Sequence, residues 1–99
     1  MADTPERKVK KKVITVLKDM KMYYAMPAGT GFGNSGVPDI LCCFGGRFIA
    51  IECKAGKGKT TKLQDSNLEA IRNAGGIAMV VNEDNVGRFL IDILEQMKD

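Results

Sequence analysis

Val9, Val13, Val16, Leu17 and Met20 recur at helical spacing behind Thr4-Pro5-Glu6. That tripeptide offers a capping hydroxyl, a proline at the first helical position and an acid for the helix dipole. The pattern predicts a helix from residue 5 to about 20 that buries one stripe. Residues 22–26 read as a short strand. Residues 27–38 carry four glycines between Pro27 and Pro38, a composition that fits neither a helix nor a strand interior. Two apolar runs follow, Asp39–Phe44 and Arg47–Lys54, joined by Gly45-Gly46, which is a β-hairpin signal. Thr60 and Thr61 cap a second predicted helix that ends near Ala74 at Gly75-Gly76. Ile77–Val81 is a short apolar strand, and Val86, Phe89, Leu90, Ile93, Leu94 and Met97 mark a C-terminal amphipathic helix. The order α-β-β-β-α-β-α predicts one α/β domain over residues 1–99, a mixed central sheet of about four strands with helices on both faces.

The hairpin fixes which side chains meet. With Gly45-Gly46 as the turn, Phe44 faces Arg47, and continuing the ladder sets Asp39 against Glu52 on one face. Directly opposed residues have Cβ atoms ~4.5–5.5 Å apart, where two like charges repel. Lys54 lies on the same face, two residues beyond Glu52. Leu41, Cys43, Phe48 and Ala50 complete that face, so the charged group is expected at one end of a largely buried apolar surface. Carboxylates in such a place share a proton or bind a cation, and a hard divalent ion such as Mg²⁺ suits oxygen ligands. The alternative is an Asp39 that caps a strand end beside a Glu52–Lys54 surface pair. A three-residue turn or a bulge would make the pairing diagonal.

Composition narrows the chemistry. The 99 residues contain no histidine, which removes Ser-His-Asp and Cys-His systems and the common catalytic zinc sets. Three cysteines do not make a disulfide framework, so an intracellular, cytoplasmic setting is expected; the adjacent Cys42 and Cys43, which point to opposite faces, are expected in the core. No apolar run approaches the ~18 residues of a membrane span, and no secretory signal opens the sequence. Gly31-Phe32-Gly33-Asn34-Ser35-Gly36 has dinucleotide-loop spacing but leads into a strand. Gly58-Lys59-Thr60 lacks the leading glycine of a P-loop, since Cys53 stands there. No nucleotide cofactor is expected.

Charge is divided unevenly. The net charge of +3 splits into +7 over residues 1–62 and −4 over residues 63–99. Arg7, Lys8, Lys10, Lys11 and Lys12 form one basic cluster, and Lys54, Lys57, Lys59 and Lys62 form another. Clustered cations suit a polyphosphate partner. For the first cluster a solvated helix face is an equal reading; the second directly follows the acidic pair.

Val37-Pro38-Asp39, then Glu52-Cys53-Lys54, then Gln64 in the following helix resemble the PD-(D/E)xK nuclease superfamily, and within it the small stand-alone form of the virus-type replication-repair nuclease (VRR-NUC) family. The resemblance runs from the first helix to about Leu94. It implies a restriction-endonuclease-like core and a Mg²⁺ site, with Mn²⁺ as a substitute, formed by Asp39, Glu52 and the backbone carbonyl of Cys53. Lys54 would orient the attacking water and stabilise phosphate charge, and Gln64 would help to fix the water or the lysine. In the similar Holliday junction resolvases an acid on the first helix supports the metal; Glu6 is its counterpart here, or simply a helix-dipole residue. Lys57, Lys59 and Lys62, with Lys8 and Lys11, would bind DNA phosphates. Asn34 and Ser35 offer further phosphate or metal-site contacts, unless the glycine-rich loop is only a connection.

The implied activity is Mg²⁺-dependent, structure-selective endonucleolytic hydrolysis of branched DNA such as four-way junctions. Symmetric cutting needs two sites and so a homodimer, for which Ile91, outside the main stripe of the last helix, hints at a hydrophobic contact. A viral or mobile-element source is suggested by the family. The rival readings are a non-catalytic DNA-binding module, a nicking or exonucleolytic repair nuclease and a regulatory interaction domain.

Overall fold

The hairpin forms in the register that its turn dictates. Gly45 and Gly46 both take positive φ, 59° and 78°, the backbone of a type I′ turn. The ladder then runs from Phe44↔Arg47 to Ile40↔Ile51. A computed structural model describes residues 3–28 and 36–98 of the chain. Within them the elements are α1 (Pro5–Asp19), β1 (Tyr23–Ala25), β2 (Ile40–Phe44), β3 (Arg47–Cys53), α2 (Lys62–Asn73), β4 (Ile77–Val81) and α3 (Phe89–Met97). This is the α-β-β-β-α-β-α order expected, with α3 starting three residues late. Residues 86–88 form a turn, whose Val86 N–H bonds the Asn82 carbonyl at 2.9 Å.

The strands lie in the order β1-β2-β3-β4. β1 and β3 flank β2 in antiparallel pairings, whereas β4 runs parallel to β3 from Ile49↔Ile77 to Cys53↔Val81. That parallel pairing requires a crossover, and α2 supplies it.

Strand alternation divides the side chains into two layers. Ile40, Cys42, Ile49, Ile51, Cys53, Ile77 and Val81 form the main core with Val9, Val13 and Leu17 of α1 and Phe89 and Ile93 of α3. Two helices thus roof that face. The opposite face carries α2 alone, with Leu68 seated on Ala50 and Ala78 and flanked by Leu41, Ile71 and Val80. Ala50 and Ala78 are register partners, and their small side chains give the helix room.

The second face is less buried than its apolar residues imply. Phe48 is 47% and Tyr23 78% exposed, and Cys43 is exposed, contrary to a core position. A helix is ~10 Å across, about two strand spacings, so α2 covers β3 and β4, reaches β2 only at Leu41, and leaves β1 and the rest of β2 bare.

The two edges of the sheet differ. On β4, Arg72 donates to the Ala78 carbonyl through Nε (3.2 Å) and Nη2 (2.9 Å), and Asn85 Nδ2 donates to the Val80 carbonyl at 3.0 Å. Those side chains close the β4 edge to strand addition. β1 has no corresponding cap among the described residues. No described helix is long and apolar enough to cross a membrane.

Candidate active site

The ladder stops one residue short of Asp39, which lies in a bend just before β2. Asp39 and Glu52 are therefore close but not a regular cross-strand pair, a correction to the hairpin extrapolation. The cause is local: Asp39 turns its carboxylate along the end of β3, where Oδ2 accepts the Cys53 N–H at 2.8 Å. Asp39 thereby replaces a ladder bond with a charge-assisted one and is held at that strand end.

Glu52 is the one buried charged side chain among the described residues, only 2% exposed. Burial, and then the Asp39 charge, push its carboxyl above the ordinary value of 4.5, while the charge and hydrogen bond of Lys54 and the backbone of Asp39 oppose them. Oε2 accepts from Gln64 Nε2 at 2.9 Å and faces Lys54 Nζ at 3.5 Å. Oε1 is buried and has no hydrogen-bond partner among the described residues. Native proteins rarely leave such an atom unsatisfied.

Gln64 owes its position to the start of α2. The Thr61 hydroxyl accepts the Gln64 N–H at 3.1 Å, and Gln64 Oε1 accepts the Thr61 N–H at 2.9 Å, a reciprocal capping box. With its oxygen engaged, the amide must present NH₂ to Glu52. Gly36, at φ +87°, crosses so close to this turn that a Cβ there would lie 2.8 Å from the Leu63 carbonyl carbon and 2.9 Å from the Gln64 nitrogen. The exit of the glycine-rich segment is thus wedged against the residue that orients Glu52.

Lys10 also reaches the site, its Nζ 3.8 Å from Asp39 Oδ1. It belongs to the N-terminal basic cluster, from which Lys10 was not singled out and Lys8 and Lys11 were expected as DNA-phosphate contacts. Both of those are exposed, and Lys11 Nζ pairs with Asp3 at 2.7 Å, on another side of α1. The signal was present in the sequence: Glu6, Lys10, Val13 and Leu17 share one helical stripe. Glu6 is half-buried in the first turn, and its charge reaches the Cys53 thiol. No group of three or more histidine, cysteine, aspartate or glutamate side chains gathers into a metal cluster among the described residues.

The site's donor set suits a hard divalent cation. Mg²⁺ is commonly held by one or two carboxylates with solvent completing its shell, so two acids and a backbone carbonyl suffice. The unpartnered Glu52 Oε1 beside the Asp39 charge is an arrangement that a cation relieves.

Lys57, Lys59 and Lys62 are exposed and carry no ion pair among the described residues. The turn beneath the first two is fixed, with Gly58 N–H on the Ala55 carbonyl at 2.9 Å and Gly56 N–H on Glu83 Oε1 at 2.8 Å. Glu83 is a positioning residue that strand and helix periodicity did not single out. Asn34 and Ser35 lie outside the described residues.

No protein-family model and no curated protein sequence matches the chain. Among solved structures, one titled "VRR_NUC domain protein" aligns with 96% of this chain and 92% of its own length, at a TM-score of 0.74 and 20% identity. The sheet order, the crossover through α2 and the placement of Asp39, Glu52, Lys54 and Gln64 at one end of the sheet thus belong to a chain that has the fold of a VRR_NUC domain.

Proposed function

We propose that this protein is a Mg²⁺-dependent DNA endonuclease acting on branched substrates, with four-way junctions as the leading candidate. The observation that carries the reading is the buried, unpartnered Glu52 Oε1 beside Asp39. A carboxylate retained only for structure would have both oxygens satisfied. The fold shared with a VRR_NUC domain protein supports the same reading.

Asp39, Glu52 and the Cys53 carbonyl would hold the Mg²⁺, with Mn²⁺ as a substitute. A divalent cation there lowers the pKa of an attacking water and offsets charge on phosphate oxygens. Lys54, 15% exposed and anchored on Glu52, presents a fixed positive charge to the scissile phosphate and to the incoming water. Gln64 holds the Glu52 carboxylate in one orientation through its amide. Lys57, Lys59 and Lys62 bind flanking phosphates and set the register of the strand.

A homodimer completes the reading, because symmetric cutting of a four-way junction takes two sites. Support comes from the uncapped β1 edge and the bare face beside it. In an antiparallel β1–β1 pairing centred on Tyr24, the large exposed Tyr23 of each copy faces the small Ala25 of the other. The two sites would then lie on one face of a continuous sheet but at opposite ends of its strands, about 24 Å apart across five strand spacings and about 20 Å along them, roughly 30 Å in all. Tyr23→Lys should shift the sedimentation coefficient of a dimer to that of a monomer. A wild-type chain that is monomeric at tens of micromolar would remove the homodimer.

The principal test is cleavage of labelled four-way, flap, fork and linear DNA in Mg²⁺, Mn²⁺ or EDTA. Cutting of the four-way substrate is expected in both metals and not in EDTA, and Asp39→Ala and Glu52→Ala should abolish it. Cutting at wild-type rates by either variant would overturn the proposal. Binding without cutting by the wild-type chain would favour a DNA-binding module. In either case, replacing both Lys57 and Lys59 by alanine should lower the salt dependence of binding by about two units of slope.

A further inference from the structure

We infer that Lys10 is a tethered counter-cation of the site. Its ammonium neutralises Asp39 until a divalent ion takes that carboxylate, and it then moves to a phosphate of the bound DNA. The inference rests on the nuclease reading above and adds to it a residue that couples metal binding to substrate binding.

Two lysines stand over two acids here, and they are held differently. Lys54 is 3.5 Å from Glu52, with side chains 15% and 3% exposed, deep in the site. Lys10 is 3.8 Å from Asp39, with side chains 31% and 23% exposed, and makes no hydrogen bond to it. An ion pair of that length and exposure supplies charge balance without a geometric lock. Lys10 is partly exposed, and its flexible four-carbon stem leaves the rim of α1 just ahead of the fully buried Val13 and Leu17.

Asp39 does not depend on Lys10 for its position. Its other oxygen is fixed by the Cys53 N–H at 2.8 Å, so the carboxylate stays in place when the ammonium departs. Formal charge then sets the direction of the exchange. Asp39, Glu52, Lys10 and Lys54 sum to zero, and entry of a divalent ion takes the group to +2. The ammonium nearest the solvent is the one expelled, and a phosphate is the anion that a bound strand brings to the same place. Metal and DNA therefore reinforce each other, because each removes part of the cost of binding the other, and the coupling is reciprocal.

The test uses the wild-type chain, Lys10→Met and Asp39→Asn. Mg²⁺ affinity is measured by titration calorimetry without DNA. Affinity for a short labelled duplex is measured by fluorescence anisotropy in EDTA and in Ca²⁺. Lys10→Met should bind Mg²⁺ about threefold more tightly than wild type, whereas Asp39→Asn should lose most binding. The gain in DNA affinity from EDTA to Ca²⁺ should be about threefold smaller in Lys10→Met than in wild type. Circular dichroism melts confirm that each variant is folded. Equal or weaker Mg²⁺ binding by Lys10→Met, with wild type binding normally, would overturn the inference and leave the nuclease reading intact. An unchanged DNA gain would overturn the transfer to phosphate. A wild-type chain that binds no Mg²⁺ would sink both readings.

Discussion

Gln64 donates its side-chain amide to Glu52 Oε2 at 2.9 Å while the oxygen of the same amide accepts the Thr61 N–H. One residue thus starts α2 and orients the buried acid of the candidate site. The hairpin that carries Glu52 and the helix that carries Gln64 are locked together where chemistry is expected.

Replacing this side chain separates its two roles. Gln64→Ala should cost about 1 kcal/mol of stability through the lost cap, and about tenfold in cleavage rate through a loosened Glu52. Gln64→Glu keeps a capping oxygen but sets a second negative charge against Glu52. It should melt closer to wild type than Gln64→Ala does, and its cleavage should need a higher pH. Urea melts and a pH–rate profile distinguish the two; a Gln64→Glu profile that overlays wild type would mean the amide does not act on Glu52.

Glu52 is expected to trade stability for function. Its carboxyl sits above the ordinary 4.5 in the fold, because burial and Asp39 disfavour the charge. A raised folded value means that folding favours the protonated form. That stabilisation is full below the unfolded value and is lost as pH rises through the folded one. Glu52→Gln removes the ionisation. Without divalent ions near pH 7.5, it should be more stable than wild type by on the order of 1 kcal/mol, with a flatter pH dependence on the acid side. It should also lose the rise in Tm that Mg²⁺ gives wild type. A variant less stable than wild type in EDTA would contradict this account.

The cysteines should separate by reactivity. Cys43 is exposed, whereas burial pushes the Cys42 thiol up to about 11 and burial with the Asp39 charge pushes Cys53 up to about 12. At pH 8 an alkylating reagent should label one cysteine per native chain, at Cys43, and three in denaturant. Both raised values also mean that stability is full below pH ~9 and declines as pH rises through 11 and 12, because the unfolded thiols ionise first. Mass spectrometry after labelling and melts between pH 8 and 11 check the two statements.

Gly36→Ala probes the wedge against α2. At φ +87° a Cβ is strained, and it would fall 2.8–2.9 Å from the backbone of Leu63 and Gln64. A loss of about 1–3 kcal/mol is expected, together with weaker Mg²⁺ binding because Gln64 shifts. Gly46→Ala, with nothing near its Cβ, shares the positive φ alone and should leave Mg²⁺ binding at the wild-type level. Calorimetry on both variants makes the comparison.

Local rules carried much of this protein. Capping at Thr4 and Thr61, the Gly45-Gly46 turn and the two-residue alternation of β2 and β3 placed the elements, the hairpin register and the face shared by Glu52 and Lys54, because each depends on near neighbours in the chain. The direction of Asp39 was beyond such rules, since leaving the ladder for the Cys53 N–H is a competition between two backbone partners. Which lysine of the first cluster meets Asp39 depended on how α1 docks through Val13 and Leu17, a contact between segments far apart in sequence. The bare half of the second face was likewise decided by the width of one helix over four strands. Periodicity tells which side of an element is apolar, and only packing decides what comes to cover it.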